Sequence, residues 1–151
     1  MGKRVTLIIY GVAFLMVLVP FLFWKGTWFG RPLSDQEMAN YLAPEAKPRN
    51  IQHALLQISE KISQGQKEKV KKWYPRMLAL MNHPVPEVRV TVAWSLGQDS
   101  QEASFHDSLQ VLLKDPNTLV RRNAALSLVR FGDSSGRAEL VSILKPVPVS
   151  S

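Results

Sequence analysis

At 151 residues with 46% hydrophobic content, the chain is long enough for one modest domain plus an appendage. It contains no cysteine, which excludes disulfides, thiolate metal sites, iron–sulfur clusters and covalently attached haem. The formal charge is +7, but with Lys3, Arg4 and Lys25 set aside residues 31–151 carry 16 basic and 12 acidic groups, an excess too mild to make nucleic acid an expected partner.

Residues 1–4 form a short basic start. Residues 5–24 carry no charge, and only Thr6, Tyr10, Gly11 and Pro20 interrupt their apolar run. As a helix they would span roughly 30 Å, the hydrocarbon thickness of a bilayer, so the sequence predicts a single transmembrane helix. A cleaved signal peptide is disfavoured, because the run exceeds a signal core and no small-x-small site follows it. A helix lying in the membrane plane would need a polar face, which this segment lacks. Residues 25–33 read as an interfacial linker, with Trp24, Lys25, Trp28 and Phe29 as the side chains expected at the membrane–water boundary. The short basic N-terminus favours an inside start, which would put the remaining chain on the outer face (periplasmic in a bacterium).

Residues 34–145 read as one helical domain. Ser34 and Glu37 have capping-box spacing ahead of a helix over 35–43. Pro48 suits the first turn of the next helix, whose stripe is Ile51, Ala54, Leu55, Ile58 and Ile62, with Gly65 as its stop. In residues 67–82, Val70, Trp73, Tyr74, Met77 and Met81 stay in phase across Pro75, which predicts one kinked helix. A helix over 86–96 buries Val88, Val92, Ser95 and Leu96, and the next presents Phe105, Leu109, Leu112 and Leu113. Asn117 is the expected N-cap and Gly132 the expected stop of a helix with the stripe Val120, Ala124, Ser127, Leu128 and Phe131. A last helix covers 137–145, and residues 146–151 form an extended tail. No segment alternates with period two, so the fold class is all-α.

Residues 83–97 and 115–133 share Pro, Val, Arg, Ala, Ser and Leu at a constant offset of 32, and residues 77–84 match 109–116 in the same register. Each unit is thus a pair of antiparallel helices too short to bury both faces alone, and stacking such pairs makes a continuous core. The pair at 35–63 is a degenerate first unit and 137–145 a lone closing helix. Asp115, Pro116, Val120, Arg121, Ala124, Ala125, Leu128, Gly132 and Asp133, with Pro84, Val88, Arg89, Ala93 and Leu96 in the preceding copy, resemble a HEAT-type repeat of the short variety associated with phycobilin lyases. The resemblance implies a short α-solenoid of helical hairpins. It also implies structural roles for Arg89, Asp115, Arg121 and Asp133, the arginines bracing one repeat against the next through a nearby aspartate or a backbone carbonyl.

His53, His83 and His106 are dispersed and lack the convergent partners a zinc or haem site needs. Residues 132–136, "GDSSG", lack the lysine and preceding strand of a phosphate cradle. No catalytic set, cofactor or metal is expected. The basic cluster Lys67, Lys69, Lys71, Lys72 and Arg76 has two readings: a contact face for anionic lipid or an acidic partner, or the solvated side of an amphipathic helix. The expected function is a non-catalytic, membrane-anchored interaction scaffold. By analogy it would be an accessory subunit of a larger membrane complex such as an electron-transport or photosynthetic one, with other subunits and the bilayer as partners. Two alternatives stay open: a lyase or chaperone for tetrapyrrole attachment, implied by the resemblance alone, and a peripheral binder of anionic lipid or nucleic acid.

Overall fold

The computed structural model describes residues 2–28 and 31–144, leaving aside the side chains of residues 3–8 and 23–28. The chain divides into two compact units, Met1–Pro32 and Leu33–Ser151. The first holds one helix, α1 (Lys3–Trp28), 26 residues long with Pro20 inside it. At 1.5 Å per residue its length is roughly 39 Å. The described side chains along residues 9–22, including Tyr10, Phe14, Met16 and Leu22, are exposed except for the half-buried Leu18. Among the described residues no helix is long and apolar enough to cross a membrane. The boundary residues Trp24, Lys25, Trp28 and Phe29 and the tail 146–151 lie outside the described residues or side chains.

Among the described residues of the second unit the regular elements are all helical: α2 (Asp35–Tyr41), α3 (Pro48–Ser63), α4 (Tyr74–Ala79), α5 (Pro86–Leu96), α6 (Ala103–Leu112), α7 (Thr118–Arg130) and α8 (Arg137–Ile143). Local chemistry sets the boundaries. The Ser34 hydroxyl accepts from the Glu37 N–H while the Glu37 carboxylate accepts from the Ser34 N–H at 2.9 Å, closing the capping box. Asn117 caps α7 by accepting from the Leu119 and Val120 N–H groups. Gly65 and Gly132 both take φ +74, the left-handed turn that releases the chain from α3 and α7. Beyond them the Gln66 N–H donates to the Lys61 carbonyl at 2.9 Å and the Asp133 N–H to that of Leu128 at 3.1 Å, satisfying carbonyls of the last turns.

The segment 67–82 departs from the single kinked helix its stripe predicts. It forms two 3-10 turns, Lys67–Lys69 and Lys71–Trp73, then α4, then a third 3-10 turn, Leu80–Asn82. Pro75 opens α4 at its first turn, where the missing N–H would have had no partner in any case. The core side chains of this stretch are Val70, Tyr74, Met77 and Leu80, with Met81 only partly covered.

The first helices of successive pairs are α2, α4, α6 and α8; the second helices are α3, α5 and α7. α5 packs against α3 on one side and α7 on the other, so the second helices form one layer. One core runs through the pairs, from Met38, Leu42, Ile51, Leu55 and Ile58 to Phe105, Leu109, Val120, Ala124 and Leu128. At Gly97, the cap of α5, the backbone lies so near α7 that a Cβ would stand 2.6 Å from the Ser127 Cβ. The buried Ser127 hydroxyl there donates to the Ala93 carbonyl at 2.8 Å.

Candidate interaction surface

Two kinds of polar tie fix the layer. The first runs between pairs. Arg89 on α5 forks onto Asp115 in the α6–α7 turn, with Nε to Oδ2 at 2.7 Å and Nη2 to Oδ1 at 2.9 Å, while its Nη1 donates to the His83 carbonyl. Asp115 also accepts from the Asn117 N–H, and these bonds hold its carboxyl below the usual carboxylate range, the Arg89 bond contributing most. Arg121 on α7 repeats the carbonyl contacts, to Asp115 and Pro116, but its Nε meets Glu139 of α8 at 3.2 Å. His83 occupies the turn position of Asp115 one unit earlier. Its Nδ1 accepts from the Val85 N–H at 3.1 Å, which leaves Nε2–H to donate to the Pro44 carbonyl.

The second tie closes each pair on itself. His106 Nε2–H donates to Asp133 Oδ2 at 2.8 Å, and Gln110 donates to the same oxygen. One unit earlier Asp99 does the same work, accepting from the Tyr74 hydroxyl at 3.0 Å. Each aspartate also accepts the N–H two residues on, from Gln101 or Ser135. Asp99 escapes sequence alignment because α5 is two residues shorter than α7, so it stands 34 residues before Asp133 while the helix starts repeat at 32. Burial and the Asp99 bond push the Tyr74 hydroxyl pKa well up. Asp133 is lowered to about 2, first by the Ser135 N–H, and the Asp133 bond raises His106 above its ordinary 6.5. His106 therefore contributes stability that is full below pH ~6.5 and lost as pH rises through its higher folded value. Asp133 contributes stability that is full above pH ~3.9 and lost as pH falls through about 2. NMR titration is expected to place the His106 pKa above 6.5 in the wild type, and lower in Asp133→Asn.

The cations of the basic cluster are largely exposed, and most of them have polar partners within the fold. Lys67 reaches Gln101 Oε1 at 2.6 Å and Asp99 at 3.4 Å, Lys69 reaches Gln66, and Lys72 reaches Asp35 at 2.6 Å. Arg76 donates to the Ala39 carbonyl at 2.6 Å and, with Lys72, lies over the face of Trp73. Lys71 is exposed. Lys72 and Arg76 thus tie the first two pairs together, Lys67 ties the segment before α4 to the loop after α5, Lys69 bonds locally, and Tyr74 sits in the core.

With the ties accounted for, the outward stripes of the second helices come into view. They read Arg49, Gln52, His53, Leu56 and Glu60 on α3; Glu87, Val90, Thr91 and Trp94 on α5, with Gln98 just past its end; and Leu119, Arg122, Asn123, Leu126 and Arg130 on α7. Each follows i, i+3, i+4, i+7, i+11 spacing, one face of a helix. Leu56, Trp94 and Leu126 are exposed in the same position of their stripes, and Leu119 and Val129 extend the apolar area on α7. Polar bridges lace the seams: Gln52 to Thr91 Oγ1 at 3.3 Å, and Arg130 to Gln98 Oε1 at 2.8 Å. An open groove of about 330 Å³, lined by Tyr41, Arg49, Asn50, Gln52, His53 and Leu56, ends the layer on the α3 side. Trp94 and Leu126 stand at the 32-residue offset, so the repeat contained this signal; stripe analysis aimed at the core passes over it. Among the described residues no group of three or more His, Cys, Asp or Glu side chains could hold a metal ion.

Antiparallel helix pairs stacked through one core, with an arginine tying each pair to the next, define a short α-solenoid. The sequence model for HEAT repeats matches residues 69–149, more than half of the chain, and the protein belongs to that family. No curated protein and no solved structure matches the chain.

Proposed function

We propose that the protein is a non-catalytic interaction scaffold, held at a membrane by α1, that serves as an accessory subunit of a larger membrane complex. The observation that carries this reading is the row of exposed apolar side chains Leu56, Trp94 and Leu126 on three neighbouring helices. Large apolar side chains repeated on one outward face mark an interaction site, and Trp is favoured at the centre of such sites. The membrane attachment rests on the charge-free residues 5–24 within the 26-residue helix α1. The inside start favoured by Lys3 and Arg4 puts the repeat unit on the outer face.

Extraction in a mild detergent followed by native electrophoresis tests both parts. The wild type is expected in the membrane fraction and in an assembly well above its own 17.0 kDa. Trp94→Asp with Leu126→Asp is expected to leave the assembly while keeping its helical circular dichroism, since neither side chain belongs to the core. A wild type that migrates alone, or that leaves the membrane in a salt wash, contradicts the proposal.

A further inference from the structure

We infer that the groove at the α3 end of the layer takes a carboxylate of a partner polypeptide whose apolar side chains lie along the row that starts at Leu56. The inference deepens the scaffold reading and rests on it. The groove holds about 330 Å³ and is lined by Tyr41, Arg49, Asn50, Gln52, His53 and Leu56. Arg49 supplies a permanent positive charge there, and none of the lining residues is a carboxylate.

Arg49 differs in its bonding from the arginines that brace the array. Arg76 is bonded to the Ala39 carbonyl, Arg89 to Asp115, Arg121 to Glu139 and Arg130 to Gln98. Arg49 is exposed and, among the described residues, makes neither a side-chain hydrogen bond nor an ion pair. The Tyr41 hydroxyl and the Asn50 amide, both on partly covered side chains, also make no hydrogen bond among the described residues. His53 adds a further donor. The Leu33 N–H donates to Gln57 Oε1 at 2.9 Å, which turns the Gln57 amide nitrogen toward His53 Nε2, also at 2.9 Å. That ring nitrogen accepts, so Nδ1 carries the proton. Arg49 and His53 are four residues apart on α3 and therefore share a face, and the Tyr41 ring meets His53 edge-on with centroids 6.3 Å apart. Gln52 is already engaged, donating to the Glu87 carbonyl and to Thr91 across the α3–α5 seam.

A guanidinium among neutral donors, with no acid beside it, matches an oxyanion, and arginine takes a carboxylate in a two-pronged contact. The neighbouring surface decides what carries that group. Leu56 lines the groove and is also the first member of the exposed apolar row continued by Trp94 and Leu126. A free small anion would leave that row uncovered, whereas a polypeptide with an acidic side chain beside its apolar ones engages both. Packed helices lie roughly 8–10 Å apart and seven residues of helix rise about 10.5 Å, so leucines at seven-residue intervals match the row.

The test uses the full chain in detergent micelles and two labelled synthetic peptides with three leucines at that interval. One carries a glutamate a turn beyond each outer leucine, and the other carries glutamine there. Wild type is expected to bind the glutamate peptide about tenfold tighter, the difference that charge-assisted hydrogen bonds supply. Arg49→Gln removes no bond of the described fold, so its helical circular dichroism should be unchanged while the two peptides bind alike. Trp94→Ala is expected to weaken both peptides by a similar factor. Equal binding of the two peptides by wild type, a preference that survives Arg49→Gln, or binding of neither overturns the inference. So does full displacement of the glutamate peptide by inorganic phosphate at the peptide's own concentration, which would make the groove a site for free anions. Because the scaffold reading is judged by native electrophoresis of Trp94→Asp with Leu126→Asp, it can stand while this inference falls.

Discussion

Arg89→Ala is expected to lower the stability of the repeat unit by about 3–5 kcal/mol, the range for removing one partner of a buried ion pair. The Arg89 and Asp115 side chains are only 12% and 7% exposed, so the carboxylate left behind loses its charge partner in a largely covered site. The main-chain acceptor at His83 loses its donor in the same step. For a unit of this size the melting temperature should fall by roughly 10 °C or more, read by circular dichroism. Arg89→Lys should recover little, because one ammonium cannot reproduce the two-pronged contact. Arg89→Met combined with Asp115→Leu should recover much of the loss, since an apolar pair leaves no stranded charge. The pH dependence has a definite sign. Asp115 has its pKa lowered in the fold, so its contribution is present above the ordinary carboxylate value of ~3.9 and fades as pH falls through the lower folded value. Wild type and Arg89→Ala should therefore converge in stability at acid pH. A constant gap between them down to that pH would mean that the pair is not what holds the turn.

Phe105→Ala is expected to cost a similar amount, about 3–5 kcal/mol, for a different reason. Phe105 is fully buried, and its ring lies 4.5 Å from that of Tyr74 at a tilt of 46°. It belongs to the pair that begins with α6, while Tyr74 belongs to the pair before, so the contact is part of the interface between repeats. Truncation leaves a cavity in that interface, and Tyr74 loses packing while its hydroxyl stays bound to Asp99. In a repeat protein the coupling between neighbours is what makes unfolding cooperative. Phe105→Ala should therefore broaden the unfolding transition as well as lower its midpoint, whereas Arg89→Ala should chiefly lower it. A sharp transition with an unchanged midpoint would show that the pairs are coupled elsewhere.

Much of this architecture was legible because it is periodic. The buried stripes of α3, α5 and α7, the capping box at Ser34, the cap at Asn117 and the stop at Gly132 follow from local spacing and backbone chemistry that act within a few residues. Residues 67–82 resisted because an in-phase stripe is compatible with one helix or with several short turns, and the choice depends on how Pro75 is used. Arg89 and Asp115 could be picked out by repeat position, but the change of partner from Asp115 to Glu139 in the next unit could not. A carboxylate on a following helix satisfies an arginine as well as one in a turn does. Asp99 was hidden by a two-residue difference in length between α5 and α7, and the outer apolar row because helical periodicity marks the buried face first.

On the proposed function, the layer of second helices is the face that holds a partner. Photoreactive side chains placed one at a time at 94 and 126 on that layer, and at 36 and 68 on exposed polar positions away from it, test this in native membranes. Positions 94 and 126 should give the same discrete cross-linked product, and 36 and 68 should not. Products of the same mass and yield at all four positions, or at 36 and 68 alone, would contradict the proposal.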